Sequence, residues 1–563
     1  MIEFGDGELS RDQRTSEDRV DRRTLLIRGG GGLAMATLGA SLLGCGGGSK
    51  SPAAATTAAP LPTNASGAGS TDSIYADIIG KLPRGGSLNF GIAGQAPTSL
   101  NPLTDANGTV AWAASPAHDF LQYYDTNSRL SLSLAERLQV LTPQKYKYTL
   151  REGAKFHDGT PVTSQSIKDL FEWIQDPKNK SILASRVADV RVEIVNSRSF
   201  VCHTPAPDAA FPAGLPNIPI LPVDGMAKQA EHPVGCGPFV FDGWTRDSYV
   251  SFKKNTNYWN PDLPRLDSLR FNIYPDAQSG AASFQAGQND FVCQVPIAQA
   301  KSFQAQAKSG QIDFDPFPGG WLFVAFNVKE EPYDDPRVRR AIALVVNRQR
   351  IAAEALSGLG QPVWVAGIAP NHPWNPADVK YDPDLDTAKQ LLAEAGLAKG
   401  FSDKMLTLNK DYFQAMNTII QSSLAEVGIK LKLQVVDIAT LVSTVITDKK
   451  FGITTLGTAL DPEPANTLDR FFITGASGNW LNYSNRQVDR LLASARRTTS
   501  DSQRKARYAE AYKMLFASDG ELPLIPLVTE PSPAIFKKTV NGHQLGPVPI
   551  ARLHMPIAAK QAA

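Results

Sequence analysis

The sequence predicts an α/β protein with more than one domain. Segments with the alternating apolar residues of β-strands recur between segments whose apolar residues are spaced as on one face of a helix. No repeat of fixed period is visible, which argues against a solenoid or a propeller. Beyond its N-terminal segments the chain retains about 480 residues, the length of roughly two to four domains.

Strands are predicted where β-branched and aromatic residues alternate with other residues. Segments of this kind are 87–94, 190–195, 248–255, 321–328 and 430–437. They are spread along the whole chain with helical patterns between them, which favours layers of helices packed on sheets.

Helices are predicted from apolar stripes with capping residues. A helix should follow Thr163, and another should begin at Asp335 with Pro336 in its first turn. Asp386 is expected to cap a third, which Gly396 can end in the left-handed conformation. The buried faces of these and of two later helices are predicted to be Ile167, Leu170, Phe171 and Ile174; Val338, Ala341, Ile342 and Val345; Ala388, Leu391, Leu392 and Ala395; Val488, Leu491, Leu492 and Ala495; and Tyr508, Ala511, Tyr512 and Leu515.

Residues 1–44 carry the pattern of an export signal. Arg22 and Arg23 form a twin-arginine pair, and a glycine-rich, weakly apolar stretch over 29–43 follows. The sequence LLG before Cys45 is typical of a lipoprotein cleavage site, at which the cysteine thiol receives a diacylglycerol. The alternative is a short membrane-spanning helix, but a span needs ~20 apolar residues, and this stretch is shorter and dominated by glycine. We therefore predict a twin-arginine lipoprotein signal peptide and a lipidated Cys45.

Residues 45–82 are predicted to be a flexible tether. They consist mostly of Gly, Ser, Ala, Thr and Pro and have few large apolar side chains to bury. A flexible chain of about 37 residues has a mean reach of roughly 35 Å, enough to hold a globular body off a bilayer.

Charge and cysteine content exclude several classes of protein. The net charge is +2, with acidic and basic residues interspersed, so no basic stripe indicates nucleic-acid binding. Besides Cys45 the chain has Cys202, Cys236 and Cys293, whose spacing fits no zinc module. Cys202 and Cys236 are the candidates for a disulfide, and buried reduced thiols are the alternative.

Several segments, in order along the chain, carry a family resemblance. Residues 147–174, KYTLREGAKFHDGTPVTSQSIKDLFEWI, resemble the signature of family 5 extracytoplasmic solute-binding proteins, which serve ATP-driven importers of peptides and nickel. Further segments are similar to motifs of the same family: GGSLNFGIAGQAPTSLNPL at 85–103, PVGCGPFVF at 233–241, KKNTNYWNPDLPRLDSLRFNIYPD at 253–276, FNVKEEPYDDPRVRRAIALVVNRQRI at 326–351 and NYSNRQVDRLL at 482–492.

The resemblance implies an α/β, two-lobed type II periplasmic-binding-protein fold with an extra subdomain inserted in lobe one. Lobe one is then expected over 83–274 and 525–563, with the subdomain at about 110–189, and lobe two over 275–524. The chain should cross between the lobes near 274–275 and near 523–526, where proline-rich sequence suits extended connectors.

The function that the resemblance implies is capture of a ligand without chemistry. A ligand that contacts both lobes favours the closed form, which an importer can recognise. We expect an extracytoplasmic, lipid-anchored monomer that delivers an oligopeptide or dipeptide to a permease and, through it, to ATPase subunits. An oligosaccharide or another small polar solute is the alternative ligand. No cofactor or nucleic acid is expected as a partner. Some family members carry chelated nickel or haem, which stays a further alternative, although the sequence offers no local His or Cys cluster for direct metal ligation.

A cell-surface hydrolase is the alternative from a different class. The histidines are scattered, and neither HExxH nor GxSxG occurs. His157 and Asp158 could form a dyad, but the adjacent Gly159 favours a turn. We therefore expect that the protein is not an enzyme.

Candidate ligand-binding residues also follow from the resemblance. Peptide-binding members hold the ligand's amino terminus with the Asp of a Trp-x-x-Asp-Tyr segment, where this chain has TTLGTALDPEP. Gly457 takes the place of the Trp and Leu460 that of the Asp, which leaves Asp461 as the nearest carboxylate or as a turn residue. The further cleft candidates are Trp480, Asn482, Tyr483, Asn101, Asn327 and Trp364. Packing roles are the alternative for the two Trp residues, and Asn327 could instead satisfy backbone groups at a strand end.

Overall fold

The computed structural model describes residues 82–105, 108–124, 130–541 and 559–560. The predicted signal peptide, Cys45 and all but the last residue of the predicted tether lie outside these ranges. Of the described helices, none has both the length and the apolar character that crossing a membrane requires.

Lobe one is organised around a mixed sheet of seven strands. Its central strand pairs in parallel with one neighbour on each side, and the other pairings are antiparallel. In spatial order the strands are β12 (Asp313–Asp315), β18 (Ala534–Phe536), β11 (Phe291–Cys293), β1 (Ser87–Ala93), β10 (Ser268–Tyr274), β9 (Tyr249–Lys254) and β8 (Phe239–Thr245).

Lobe two has its own sheet of five strands. In spatial order they are β15 (Lys430–Val436), β14 (Ser402–Leu408), β16 (Ile453–Ala459), β13 (Pro318–Phe326) and β17 (Leu524–Pro531). β14 is parallel to β15 and to β16, whereas β13 is antiparallel to β16 and to β17.

A third, four-stranded antiparallel sheet forms the subdomain inserted in lobe one. Its order is β4 (Ala135–Thr142), β5 (Lys145–Leu150), β7 (Ser199–His203) and β6 (Arg191–Ile194). Since its last strand ends at His203, the subdomain extends past the predicted boundary at 189. Two small sheets complete the described strands, β2 (Gln122–Tyr124) with β3 (Leu130–Leu132) and β19 (Val540–Asn541) with β20 (Ala559–Lys560).

Helices connect and cover these sheets. The α-helices are α1 (Gly108–Ala113), α2 (Ser164–Gln175), α3 (Phe211–Gly214), α4 (Ala277–Gln285), α5 (Ala300–Lys308), α6 (Pro336–Val345), α7 (Arg348–Arg350), α8 (Leu385–Glu394), α9 (Asp411–Ala425), α10 (Ile438–Leu441), α11 (Pro464–Phe472), α12 (Arg486–Arg497) and α13 (Asp501–Phe516). Short 3₁₀ turns are Ser115–Ala117, Pro177–Asn179, Ala184–Arg186, Leu215–Asn217, Met226–Ala230, Ile297–Gln299 and Ala377–Val379, and π-helical turns are Ile351–Ala355 and Val442–Thr447.

Most predicted helix starts are confirmed. The side chains of Thr163 and Asp335 accept hydrogen bonds from backbone amides in the first turns of α2 and α6. For α8 the prediction was wrong by two residues: Asp384, not Asp386, is the cap and accepts a 3.0 Å hydrogen bond from the Thr387 amide. Because both carboxylates precede the same apolar stripe, the sequence pattern alone did not separate them.

The predicted crossings between the lobes are wrong. After Tyr274 the chain still adds β11 and β12 to the lobe-one sheet, and it crosses only between Asp315 and Pro318. It returns between Pro531 and Ala534, because β17 belongs to the lobe-two sheet. β11 and β12 have three residues each, too few for a visible alternation. β17 is an edge strand, where proline is tolerated within a strand.

The predicted disulfide between Cys202 and Cys236 is not formed. Both cysteines are free and buried in the apolar cluster of the subdomain, and Cys293, also outside any disulfide, is buried in lobe one. The Sγ of Cys236 lies 3.5 Å from the carbonyl oxygen of Ile220. Burial raises the pKa of both Cys202 and Cys236, so these thiols pack as small apolar groups.

Candidate ligand-binding cleft

In both main sheets, the parallel strands have their carboxyl ends on the side of the crossings. In lobe one, the parallel strands β1, β10 and β11 end at Ala93, Tyr274 and Cys293, on the edge where the chain leaves the lobe. In lobe two, β14, β15 and β16 also run toward the crossings. Open α/β sheets bind ligands outside the carboxyl ends of their strands. The region between these two edges is therefore the candidate ligand-binding cleft.

The two crossings are short and hydrogen-bonded to each other. Residues 316–317 form one and residues 532–533 the other. The Ser532 amide donates to the Phe317 carbonyl oxygen over 2.7 Å, and Pro318 pairs with Pro531 in the lobe-two sheet. Such a pair of extended connectors can flex while each lobe moves as one body.

Asp461 follows the cleft end of β16, but its carboxylate is already occupied. Its oxygens accept hydrogen bonds from the Glu463 amide at 3.0 Å and from Asn466 Nδ2 at 3.0 and 3.1 Å. Burial raises the pKa of Asp461, and the charge of Arg186 from the subdomain opposes that rise. These bonds are those of a turn that introduces α11.

The two positions aligned with the family's Trp and Asp lie beside this turn. Leu460 is 2 % exposed and belongs to the apolar cluster of lobe two. Gly457 lies on β16, opposite Leu322 of β13. A Cβ built on Gly457 would lie 2.8 Å from Leu322 Cδ2 and 3.0 Å from Glu530 Oε2. The place of a large side chain is thus taken partly by a glutamate from another strand.

Sequence reasoning missed Glu530. It is the last but one residue of β17, opposite Gly320 at the cleft end of the sheet, and it is partly buried. Its Oε1 accepts a 2.5 Å hydrogen bond from the hydroxyl of Tyr412 in the first turn of α9. A single charge within the apolar segment 522–536 was the available signal.

Trp480 and Tyr483 pack inside lobe two. Trp480 is 3 % exposed, and its ring centroid lies 5.6 Å from that of Phe451 and 6.2 Å from that of Phe471. Tyr483 is 4 % exposed and meets Phe472 edge to face. Trp480 therefore has the packing role that was its alternative, and the cleft prediction for Tyr483 is also wrong, since its ring is enclosed by core residues.

Asn327 and Asn482 lie together, but away from the crossings. Asn482 Nδ2 donates to Asn327 Oδ1 over 2.9 Å, and Lys449 Nζ donates to Asn482 Oδ1 over 3.2 Å. Asn327 directly follows β13, roughly 30 Å along that strand from Pro318 at ~3.3 Å per residue. Both are therefore corrected from cleft residues to polar residues that join loops at the opposite end of the sheet.

Asn101 and Trp364 have local partners. Asn101 Oδ1 accepts a 3.0 Å hydrogen bond from the Leu103 amide, which closes a turn after the first strand. Trp364 donates through Nε1 to the Tyr381 carbonyl oxygen at 3.3 Å, and its ring faces Lys380 and Arg348. Neither contact brings the side chain to Glu530 or Asp461.

One ion-pair cluster joins the subdomain to lobe two. Asp208, which follows β7, pairs with Arg496 of α12 at 3.0 Å, and the Ala209 amide donates to the Arg496 carbonyl oxygen at 2.6 Å. Arg496 also pairs with Asp469 of α11. Burial raises the pKa of Asp469 to about 6, although the Arg496 charge opposes it. The cluster links parts of the chain that belong to different lobes.

His157 and Asp158 form the predicted turn, in which the Gly159 amide donates to the Phe156 carbonyl oxygen. Among the residues that the structure describes, no group of three or more His, Cys, Asp or Glu side chains is placed to hold a metal ion.

Comparison with known proteins gives a consistent result. The model of the family described as bacterial extracellular solute-binding proteins, family 5 (middle), matches residues 129–479. The glutathione-binding protein GsiB of Shigella boydii serotype 4 is 29% identical over 484 residues, covering 80% of this chain and 90% of the relative. GsiB of Escherichia coli O157:H7 matches with the same identity and coverage.

Solved structures share the fold. The binding protein AgaA of A. tumefaciens R10, in complex with agropinic acid, superposes with a TM-score of 0.68 at 27% identity, covering 85% of this chain and 99% of that chain. The periplasmic binding protein DppA of Helicobacter pylori, in complex with the peptide STSA, has a TM-score of 0.70 at 21% identity, covering 86% of this chain and 99% of that chain.

Proposed function

The chain belongs to the bacterial extracellular solute-binding proteins of family 5, and we propose on that premise that the ligand it delivers to an ATP-driven importer is an oligopeptide or dipeptide. The role of solute-binding receptor follows from the family and from the relatives that match along most of the chain. The class of ligand, a peptide, is what we propose in addition to this role.

The observation that carries the proposal is the cleft between two sheet edges. The carboxyl ends of β1, β10 and β11 and those of β14, β15 and β16 lie at the same pair of short crossings. A ligand that contacts both edges stabilises the closed arrangement through contacts absent from the open one. To move the equilibrium from 1:99 to 99:1, it must favour closure by about 5.5 kcal/mol.

A peptide suits this cleft because it carries charges at its ends and amides between them. GsiB, which is named for glutathione, and DppA, which was solved with the peptide STSA, are similar proteins that bind peptides. AgaA, which holds agropinic acid, shows that the same fold also takes another small polar solute. A small polar solute other than a peptide is therefore the second candidate. The family is one of binding proteins of transporters, and no enzymatic activity is proposed.

We place the receptor outside the cell membrane, anchored by a diacylglycerol on Cys45 after twin-arginine export. The support is the sequence pattern around Arg22, Arg23 and Cys45. Cys45→Ser should release the protein from membranes, and replacing Arg22 and Arg23 by Lys should block its export. Fractionation of cells that express each variant measures both outcomes.

The ligand class is tested by mass spectrometry of the exported protein purified from its own host under native conditions. Peptide masses that leave the protein on unfolding, together with loss of peptide uptake on deletion of the gene, are the expected results. Release of a sugar or another solute that is not a peptide, with unchanged peptide uptake, would replace the ligand class but keep the receptor role.

A further inference from the structure

Glu530 is a charged residue that lies outside the segments that carry the family resemblance. It is the sole charge between Leu522 and Phe536. It stands one residue before the end of β17, and the second crossing follows directly. This places its carboxylate at the cleft end of the lobe-two sheet.

Tyr412 fixes one oxygen of that carboxylate. Its hydroxyl donates to Glu530 Oε1 over 2.5 Å. Burial, followed by the neighbouring charge of Glu530, raises the pKa of Tyr412, so the phenol stays protonated and acts as the donor. The tyrosine ring packs against Phe413 at the start of α9, with centroids 5.1 Å apart. The glutamate is thus held in one orientation by a rigid element.

The second oxygen lies over two glycines. Oε2 is 3.0 Å from the position that a Cβ would take on Gly320 and 3.0 Å from that on Gly457. A side chain at either glycine would therefore press on the carboxylate. Among the described residues, Oε2 accepts no hydrogen bond and Glu530 makes no ion pair. Lys410 is exposed and lies beside the Tyr412 ring, with Nζ 5.8 Å from its centroid.

The other acidic candidates near β16 are already bonded. Asp461 accepts from the Glu463 amide and from Asn466. Glu463 is buried and pairs with Arg504 at 2.8 Å. A partly buried carboxylate with a free oxygen gains most from a cation that brings hydrogen-bond donors with it.

We propose that Glu530, oriented by Tyr412 and accommodated by Gly320 and Gly457, binds the ammonium group of the ligand in the cleft. This rests on the proposed function and makes it narrower: the ligand carries a free primary amine, such as the amino terminus of a peptide. A neutral oligosaccharide offers no such group. Glu530 thus replaces the carboxylate that Leu460 lacks, from a different strand and without using Asp461.

The test uses matched ligands and matched variants of the exported protein. The probes are an equimolar library of tripeptides and the same library with acetylated amino termini. The variants are Glu530→Gln, Tyr412→Phe and the control Glu426→Gln, which makes the same chemical change at an exposed position at the far end of α9. Native mass spectrometry reports which peptides are bound, calorimetry gives the affinity of the best one, and circular dichroism checks folding.

We expect the wild type and Glu426→Gln to select free-amine peptides. Glu530→Gln should lose about ten- to hundredfold in affinity for them, and with it the preference over acetylated peptides. Tyr412→Phe should lose less affinity and keep the preference, as a positioning residue would.

Other outcomes overturn the inference in distinguishable ways. If free and acetylated peptides bind the wild type equally, or if Glu530→Gln keeps the full affinity and preference, the ammonium role of Glu530 is wrong while the peptide assignment stands. If the wild type binds neither library, the peptide assignment fails, and the ammonium role fails with it.

Discussion

Gly457 and Glu530 share one space at the cleft end of lobe two. They lie on strands that do not pair with each other, since β13 runs between β16 and β17. The Glu530 side chain reaches across β13 and ends 3.0 Å from where a Cβ of Gly457 would stand. Because Gly457 has no side chain, the Glu530 carboxylate has room to lie there.

This relationship predicts a coupling between substitutions at the two positions. Gly457→Ala should destabilise the protein by about 1–3 kcal/mol, because the new methyl group presses on Glu530 and on Leu322. In a Glu530→Gly background the cost should fall by at least ~0.5 kcal/mol, since one of the two contacts has gone. Urea unfolding of the four proteins of this cycle measures the coupling. Strictly additive costs would mean that the two residues do not share the space.

The elements that were predicted well are those whose cause is local. Thr163 caps its helix through atoms three residues away, and the stripe from Ile167 to Ile174 follows from the helical repeat alone. The crossings were misplaced because their positions depend on which sheet each strand joins, and this is decided by strand pairing between distant segments. β12 is too short to recognise, and it joins lobe one only through its contact with β18, far along the chain.

The site was harder to predict for the same reason. The position of the Glu530 carboxylate depends on a hydrogen bond from Tyr412 and on the space left by Gly457, which has no side chain. Both residues are distant from Glu530 in sequence. Asn327 and Asn482 match family motifs, yet they meet each other at the far end of the sheet. A match to a family motif predicts that a residue takes its usual place in the fold. Whether that place is near the cleft depends on which end of the strand carries the residue, and the motif alone does not show this.

The contact between Asp208 and Arg496 predicts a contribution to the association of the lobes. Asp208→Asn removes the charge that faces Arg496 but leaves its pairing with Asp469. We expect the bound, closed form to lose roughly 1 kcal/mol, or about fivefold in ligand affinity. Titration with the ligand released from the purified protein measures it. Asp378→Asn is the matched control, because its partner Lys513 lies in the same lobe. Equal affinities for the two variants would contradict the coupling.

The three buried cysteines, which form no disulfide in the structure, predict a simple thiol count. A thiol reagent should leave Cys202, Cys236 and Cys293 unmodified in the native protein, because all three are buried and outside any disulfide. After unfolding without a reductant, all three should react. Intact-mass measurement before and after labelling gives the count. Labelling of only one of the three in the unfolded, unreduced protein would show that two of them form a bridge after all, and peptide mapping would show whether these two are Cys202 and Cys236.

His118 predicts a loss of stability on acidification. Its ring is 3 % exposed, with Nδ1 2.9 Å from the Ala114 carbonyl oxygen. Burial, and then the charge of His157, lower the pKa of His118 from 6.5 to about 3 in the folded protein. The unfolded chain therefore binds a proton first as the pH falls. The stabilisation from neutral His118 is present above pH 6.5 and is lost progressively between about pH 6.5 and 3.

The variant His118→Gln removes this titration while keeping a polar side chain near Ala114. Wild-type stability should fall more steeply than that of the variant below pH 6.5, by up to about 1.4 kcal/mol per pH unit for the one proton concerned. Thermal unfolding at pH 7, 6, 5 and 4, followed by circular dichroism, compares the two slopes. At pH 7 the variant should be less stable, because the backbone of Gly235 packs closely against the His118 ring, whose Cδ2 lies 2.8 Å from where a Cβ of Gly235 would stand, and this leaves little room for a differently shaped side chain. Parallel curves over the whole range would mean that His118 is protonated in the folded protein as readily as in the unfolded one.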